Sequence, residues 1–553
     1  MSKGKNAIEI IAFLVIFLII FWQVQEIVSP DWDWPEENYR VATSVSGVYA
    51  EPTNSLDILW LGTSHMQCGV APMLVYQNTG VHSYNLATTM QSMALSYGRL
   101  KTAFQKQKPK VVFLDVSSLY FSKNNVILKN IWKQTIESIP WNAIADRLYI
   151  FRIYYEVLQE ICGSADISVF DCLLPIIQNH YSINDLDFDD YSNVIYEIPS
   201  YRKGHTLQSE IAPAWSYWAG NWDDLRTEYI RREKDSQLAN EEYVSSCEQM
   251  QENLAYNLKW LDEIQILCNE NECELVLVKI PVNASPTQYS GYWNMEKHQG
   301  VIEVASERGL EFIDLNYEEV NIDWNTDTMD YGVHLNELGA IKVSQYMSNY
   351  ISEKYNSLLK KNRKDDASWL KDLEAYEIEQ NYCLLQLDED VEHYLWTVRT
   401  NGYSILLAVS DTLVGTWTDD KKEMVSKLTG INEDYLCLDH EAYVGYFDNG
   451  SAIYEENNAL SCEYSGTLSN GTQFTLSSKG WYEGGGASIC IGDEKYDTND
   501  VGLQIVVYDR KLGCVIDVSL LNVYENTPFI LKENKDYKEM FYKSLLDFLK
   551  EKF

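Results

Sequence analysis

Leu59-Trp60-Leu61-Gly62-Thr63-Ser64-His65-Met66 is the stretch on which the fold turns: an apolar strand pattern runs into a glycine and leaves a serine on the turn just beyond it. The strand itself begins upstream, in Leu56 to Leu61 (LDILWL). Working outward, similar short apolar runs recur at Ser83 to Leu86, at Val111 to Val116 (VVFLDV, introduced by Pro109), at Glu274 to Ile280 (ELVLVKI, ended by Pro281) and at Glu311 to Leu315. Between them the spacing predicts helices over Gln91 to Gln107, Tyr243 to Cys268, Met295 to Arg308 and Glu337 to Tyr355. Strands alternating with helices of this length predict βαβ units, hence a parallel sheet covered on both faces.

The expected fold over about residues 31–360 is α/β, a flavodoxin-like three-layer α/β/α sandwich. Residues 125–242 break the alternation with an aromatic, helical stretch (Ile131 to Ile161) and a polar one (Gln178 to Lys203). An insertion there would sit near the carboxyl ends of the strands, where open α/β sheets bind ligands, and would shape the substrate site. The charged run Lys360 to Asp366 marks a boundary, 361–384 reads as a helical linker within a helical bridge from Ser368 to Arg399, and 385–553 reads as a separate β-rich unit. Its turns are signalled by Asn449-Gly450, Asn470-Gly471 and Gly484-Gly485-Gly486, with one clear internal helix near Lys421 to Leu428. No repeat of solenoid or propeller length is visible.

The 553 residues carry 44 Lys+Arg against 82 Asp+Glu, a net charge of −38, which excludes a nucleic-acid binder that works by neutralising phosphates. With 46% hydrophobic and 13% aromatic residues the chain can bury real cores, so its acidity is that of a folded surface and not of a disordered tail. At the N-terminus, Ala7 to Val24 is apolar except for Glu9 and Gln23. As a helix it is about 27 Å long, enough for a bilayer core. Lys3 and Lys5 precede it and Asp31, Asp33, Glu36 and Glu37 follow. The expectation is an uncleaved single-pass anchor over residues 1–30, N-terminus cytoplasmic and the bulk outside the cell. A cleaved signal peptide is the alternative, weakened by the lack of a small-residue cleavage site. The eleven cysteines have no metal-site spacing; Cys268 and Cys273 flank a turn where a small bridge is conceivable, although buried thiols are the simpler reading. No metal or cofactor is expected.

A serine past a strand's carboxyl end exposes its hydroxyl to a base and to backbone amides, yet such a turn alone is ordinary. A second segment adds weight. Thr326 to Ala340 (TDTMDYGVHLNELGA) puts Asp330 and His334 in a loop just before the last helix of the α/β unit, in a chain with eight histidines. A loop carboxylate upstream of an imidazole can hold it in one tautomer. His65 would contact solvent, cap the turn or take a direct part. His180-Tyr181 and Lys203-Gly204-His205 would line a sugar cleft or be structural, and Trp215 to Trp222 (WSYWAGNW) would stack on carbohydrate or form a buried aromatic patch.

Together, Gly62-Thr63-Ser64-His65, Asn85-Leu86-Ala87 and Asp330 to Gly339 resemble the SGNH/GDSL hydrolase superfamily over about residues 50–355, in particular its membrane-anchored bacterial branch with the alginate O-acetylation and teichoic-acid D-alanylation D proteins. The resemblance implies that Ser64 is the nucleophile, His334 the general base and Asp330 its partner, with Asn85 and Ala87 in the block bordering the oxyanion hole. Three details depart from the family pattern. Asp330 lies four residues before His334 where three is usual, leaving Asp327 or no carboxylate as alternatives; Ala87 stands where glycine is common; and the third strand ends in Leu114-Asp115-Val116-Ser117-Ser118, without the family's oxyanion asparagine. In the C-terminal unit, Gly480 to Gly484, Ala487 to Ile491, Gly502 to Asp509 and Val515 to Val518 resemble the interleukin-like EMT inducer domain and the stem of an O-mannose N-acetylglucosaminyltransferase, which implies sugar binding.

The function expected from these features is an anchored extracytoplasmic serine enzyme that handles acyl groups, foremost an O-acetyltransferase of a cell-surface polysaccharide acting with a membrane-bound O-acyltransferase. A carbohydrate esterase with the same triad is the first alternative. A non-catalytic surface glycan-binding or assembly protein is the second.

Overall fold

The computed structural model describes residues 2–27, 47–49, 51–121, 148–149, 152, 201–214, 241–283, 293, 295–358, 366–387, 391–411, 418–437, 440–496, 501–522, 529–532 and 537–552. They fall into two compact units, Met1–Tyr376 and Glu377–Phe553. Most of the insertion expected over 125–242, including His180-Tyr181 and Trp215 to Trp222, lies outside the described residues.

The chain starts in helix α1 (Ser2–Ile27), whose apolar side chains from Ile10 to Ile20 are exposed. Among the described residues no helix is long and apolar enough to cross a membrane, so the transmembrane expectation draws no support from the structure.

In the first unit, strands β1 (Ile58–Leu61), β2 (Ser83–Asn85), β3 (Val111–Asp115), β4 (Glu274–Lys279) and β5 (Glu311–Asp314) form a five-stranded sheet in the order β2-β1-β3-β4-β5, each adjacent pair parallel. Every residue of β1 and β3 is buried. That is why they read as unbroken apolar runs, since a parallel strand is covered on both faces. Trp60 pairs with Phe113 across the β1–β3 ladder, and their rings stack at 4.6 Å. One face packs these rings, with Ile58, Val276 and Val278, against Val343, Met347 and Ile351 of the helix Glu337–Lys354. Full burial of a side chain the size of Phe113 contributes about 1.5–3 kcal/mol.

Around the sheet run α2 (Ser64–Gly69), α3 (Pro72–Thr79), α4 (Met93–Ala103), α5 (Glu241–Glu270), α6 (Met295–Arg308) and α7 (Glu337–Lys354). Their ends follow local chemistry. Pro72 opens α3, Gly80 closes it with φ 74°, and Ser92 caps α4 by accepting from the Leu95 N–H. Between β5 and α7 a two-stranded ladder pairs β6 (Thr328–Met329) with β7 (His334–Leu335).

Helix α8 (Ala367–Leu387) contains the boundary between the units. Beyond it come α9 (Val391–Thr400), β8 (Ser404–Ser410), α10 (Asp419–Thr429), β9 (Ala442–Asp448), β10 (Ser451–Asn458), β11 (Ser461–Thr467), β12 (Gln473–Lys479), β13 (Ala487–Ile491), β14 (Glu494–Lys495), β15 (Gly502–Asp509), β16 (Cys514–Asn522), β17 (Phe529–Lys532) and α11 (Tyr537–Lys552). The strands make a six-stranded sheet, β10-β9-β8-β15-β16-β17, and a four-stranded one, β11-β12-β13-β14, both antiparallel. Leu406, Val444 and Tyr446 from the first share a core with Phe474, Leu476 and Ile489 from the second. Asn449-Gly450 forms the two-residue turn between β9 and β10, with φ 51° and 75°, as its sequence predicts. Helix α11 was not foreseen; it buries Phe541, Leu545 and Leu549, a helical spacing inside an otherwise strongly charged tail.

Candidate active site

Ser64 is the first residue of α2, directly beyond β1 and its glycine turn. Gly62 has φ 144°, and a Cβ there would come within 2.4 Å of Asp115 Cβ, so the turn requires glycine to pass the end of β3. With β2 on one side of β1 and β3 on the other, this turn leaves the sheet where the strand order reverses, the place at which open α/β sheets bind ligands.

His334 reaches the same point from β7. Its Nε2 is 2.7 Å from Ser64 Oγ, and its Nδ1 is 2.6 Å from Asp330 Oδ2. An ionised carboxylate only accepts, so Nδ1 carries the proton and Nε2 is the acceptor facing the serine hydroxyl. Asp330 Oδ1 also accepts from the His334 backbone N–H at 2.9 Å, which grips the residue twice. The four-residue separation is taken up by a left-handed turn, with φ 46° at Asp330, 64° at Tyr331 and 90° at Gly332. Two non-glycine residues in that region store roughly 1–3 kcal/mol each, as happens where a site over-determines its backbone.

Asp327, the alternative acid, is turned inward. Its carboxylate accepts from the Asp323 N–H (2.7 Å), the Thr326 hydroxyl (3.1 Å) and Lys342 (2.5 Å), and so buttresses the loop. Asn336 caps α7 by accepting from the Leu338 and Gly339 N–H groups and donates to the Thr326 carbonyl. The string His334-Leu335-Asn336 thus combines one chemical residue with one that fixes its loop.

Asn85 and Ala87, in the block expected to border the oxyanion hole, lie at and just beyond the end of β2. The Asn85 amide donates to the Met66 and Val70 carbonyls, and its Oδ1 accepts from the Ala87 N–H. Both are buried, and their donors are spent in clamping α2 to β2. Lys203-Gly204-His205 does not line a cleft. Lys203 is buried between Glu51 and Asp372, at 2.6 Å from each. Burial and Lys203 compete at Asp372, and burial wins, pushing its carboxyl up to about 6. His205 joins α2 to α7, with Nδ1 3.1 Å from the Gln67 carbonyl and Nε2 2.9 Å from Glu337.

Sequence reasoning missed a second polar group behind the turn. Three neighbouring apolar strands end in Asp115, Lys279 and Asp314. Asp115 accepts from the Thr63 hydroxyl (2.7 Å) and from Ser117 Oγ (2.9 Å). Lys279 Nζ, fully buried, lies 2.7 Å from Ser117 Oγ and 3.1 Å from His65 Nδ1. Burial pushes the Lys279 ammonium down, opposed by Asp115 and Asp314. His65 is held well below its usual value by burial, by Lys279 and by His334, whose ring is 5.0 Å away. A charged residue closing the buried run of each of these three neighbouring strands was the available signal.

Among the described residues no group of His, Cys, Asp and Glu is placed to hold a metal ion, and Cys68, Cys268, Cys273, Cys383, Cys462, Cys490 and Cys514 are free thiols. The thiol of Cys268 is pushed upward by its hydrogen bond to Cys273 and by burial. No protein-family model matches the chain, and no curated protein is similar to it.

Proposed function

We propose that this chain is a serine enzyme of SGNH/GDSL type that transfers acyl groups outside the cell, with acetylation of a surface polysaccharide as its task and a membrane-bound O-acyltransferase as its source of acyl groups. The observation that carries the reading is the relay Ser64 Oγ, His334 Nε2, His334 Nδ1, Asp330 Oδ2, with links of 2.7 and 2.6 Å. The strand order β2-β1-β3-β4-β5 favours the flavodoxin-like, three-layer form of the fold on which such a relay would sit. In this reading α1 is the anchor, on the strength of its apolar sequence and its flanking charges.

The chemistry follows from the relay. Ser64 Oγ attacks the carbonyl carbon of an acyl donor while its proton passes to His334 Nε2, and Asp330 stabilises the imidazolium. The tetrahedral intermediate collapses, the donor's oxygen leaves with the proton from His334, and an acyl-serine remains. A sugar hydroxyl then repeats the sequence in reverse, giving up its proton to His334 and taking the acyl group. With water in place of the sugar the same steps make an esterase. The C-terminal unit is proposed to bind glycan, since Trp481 and Tyr482 present exposed rings at 59% and 84% of their surface.

The test is the fate of the acyl group. Full-length protein given an activated acetyl ester and an oligosaccharide should form an acetyl-oligosaccharide, and Ser64→Ala should not. Release of free acetate alone, at a rate the oligosaccharide does not alter, would assign the esterase reading instead.

A further inference from the structure

A tetrahedral intermediate on Ser64 puts a negative charge on the former carbonyl oxygen, and that charge needs hydrogen-bond donors already in place. The Ser64 N–H, at the first position of α2, has no carbonyl of its own helix to bond. The side-chain donors nearby are mostly committed. The Thr63 hydroxyl and backbone N–H are both directed at Asp115 Oδ2, the amides of Asn85 and Ala87 are spent on α2 and on each other, and Ser117 gives its single hydroxyl proton to Asp115.

His65 is different. Its Nδ1 faces Lys279 Nζ and Ser117 Oγ, each at 3.1 Å. An ammonium has donors and no lone pair, so Nδ1 beside it must be the accepting nitrogen. Ser117 cannot oppose this, because it accepts from Lys279 at 2.7 Å and has already spent its proton on Asp115. The imidazole is therefore fixed with its proton on Nε2, the edge the network does not use. That is the opposite tautomer from His334, the ring 5.0 Å away whose Nε2 accepts from Ser64.

We propose that His65, locked as the Nε2–H tautomer by Lys279, donates the side-chain hydrogen bond to the oxyanion formed on Ser64, with Lys279 as a positioning residue; the inference rests on the acyl-transfer reading of the site. Two features of the network fit this role. Lys279 is buried with its Nζ 5.2 Å from the Trp293 ring centroid, and Asp115 and Asp314 oppose the burial that pushes its ammonium down. A neutral His65 also avoids a second positive ring beside His334, which must itself become imidazolium as the reaction proceeds. The groups facing His65 are Lys279 on β4, Ser117 just beyond β3 with Asp115 bonded behind it, and His334 on β7.

The experiment measures 4-nitrophenyl acetate turnover and fluorophosphonate labelling of Ser64 in the full chain, for wild type, His65→Ala, His65→Gln and Lys279→Met, each checked for fold by circular dichroism. His65→Ala should lower kcat by about 10²–10³ with KM nearly unchanged, the usual effect of deleting one oxyanion donor. His65→Gln, which keeps an N–H, should recover part of the loss. In Lys279→Met, where the tautomer is no longer fixed while the burial of His65 and the neighbouring His334 remain, kcat should fall with KM nearly unchanged, by less than in His65→Ala. Should His65→Ala fail to fold, His65→Gln and Lys279→Met carry the test. A labelled wild type with His65→Ala labelled and turning over at the same rate overturns this inference and leaves Ser64 as nucleophile. An unchanged kcat in Lys279→Met overturns the tautomer lock. A wild type that gives no adduct at Ser64 overturns the enzyme reading itself and the inference with it.

Discussion

Two regions of this chain hold a histidine against an aspartate whose backbone is left-handed, and they are built for different ends. In the α/β unit, Asp330 (φ 46°) holds His334 Nδ1 at 2.6 Å, and the other ring nitrogen meets a serine hydroxyl at 2.7 Å. In the β unit, Asp411 (φ 72°) lies 3.2 Å from His440 Nδ1, and the ring beside that imidazole is Trp481, at 5.5 Å between centroids and largely exposed. The first pair stands at the carboxyl end of a parallel sheet, where strand ends converge and can aim several side chains at one point. The second stands at an isolated bridge between Asp411 and Gly480, beside aromatic faces open to solvent. A histidine–carboxylate pair is thus a part and not a site; in the first region it is the serine hydroxyl at the second ring nitrogen that completes a relay.

That contrast can be broken by mutation. His334→Ala should slow acylation by an activated ester by about 10²–10⁴, the worth of a positioned base, whereas His440→Ala should leave the rate within about two-fold. Equal losses in both would dissolve the distinction. Asp330→Asn should cost less than His334→Ala but clearly more than Asp327→Asn, read as kcat/KM on the same ester. Asp327→Asn should show instead as a stability loss of about 1 kcal/mol in denaturant unfolding, since it weakens the charge-assisted bonds from the Asp323 N–H, the Thr326 hydroxyl and Lys342. Reversal of that order would make Asp327 the orienting acid. In the β unit, Trp481→Ala should weaken retention on the polysaccharide and leave turnover of a small acetyl ester unchanged. A matching loss of turnover would tie the two regions into one enzyme. The smallest effect expected is on topology: protease added to intact spheroplasts should digest the chain beyond residue 31 and spare an N-terminal tag, and full protection would remove the anchor.

How far the sequence could be read followed from how local the determinants are. The parallel strands announced themselves because burial on both faces forces continuous apolar runs, as in Val111–Asp115, and a turn of the β unit did so through Asn449-Gly450, both with positive φ. Ser64, His334 and Asp330 were legible because each sits next to a recognisable punctuation, a glycine turn or a helix cap. The choice between Asp330 and Asp327 was not, because it depends on a left-handed turn that no residue preference signals at Tyr331. The roles of Lys279 and Asp115 were hidden for another reason. They belong to strands separated by more than a hundred residues, and only the β3–β4 pairing makes them neighbours. What Asn85 bonds was not legible either, since a motif position does not say which carbonyls an amide will meet.

The central claim is that Ser64 is a nucleophile activated by His334. Incubation of the folded full-length chain with a fluorophosphonate, followed by peptide mass spectrometry, tests it directly. The account predicts one phosphonyl group, on Ser64, absent in Ser64→Ala and formed about 10²–10⁴ more slowly in His334→Ala. A wild type that remains unmodified at Ser64 under conditions that label a known serine hydrolase, or labelling whose rate ignores His334, would contradict it.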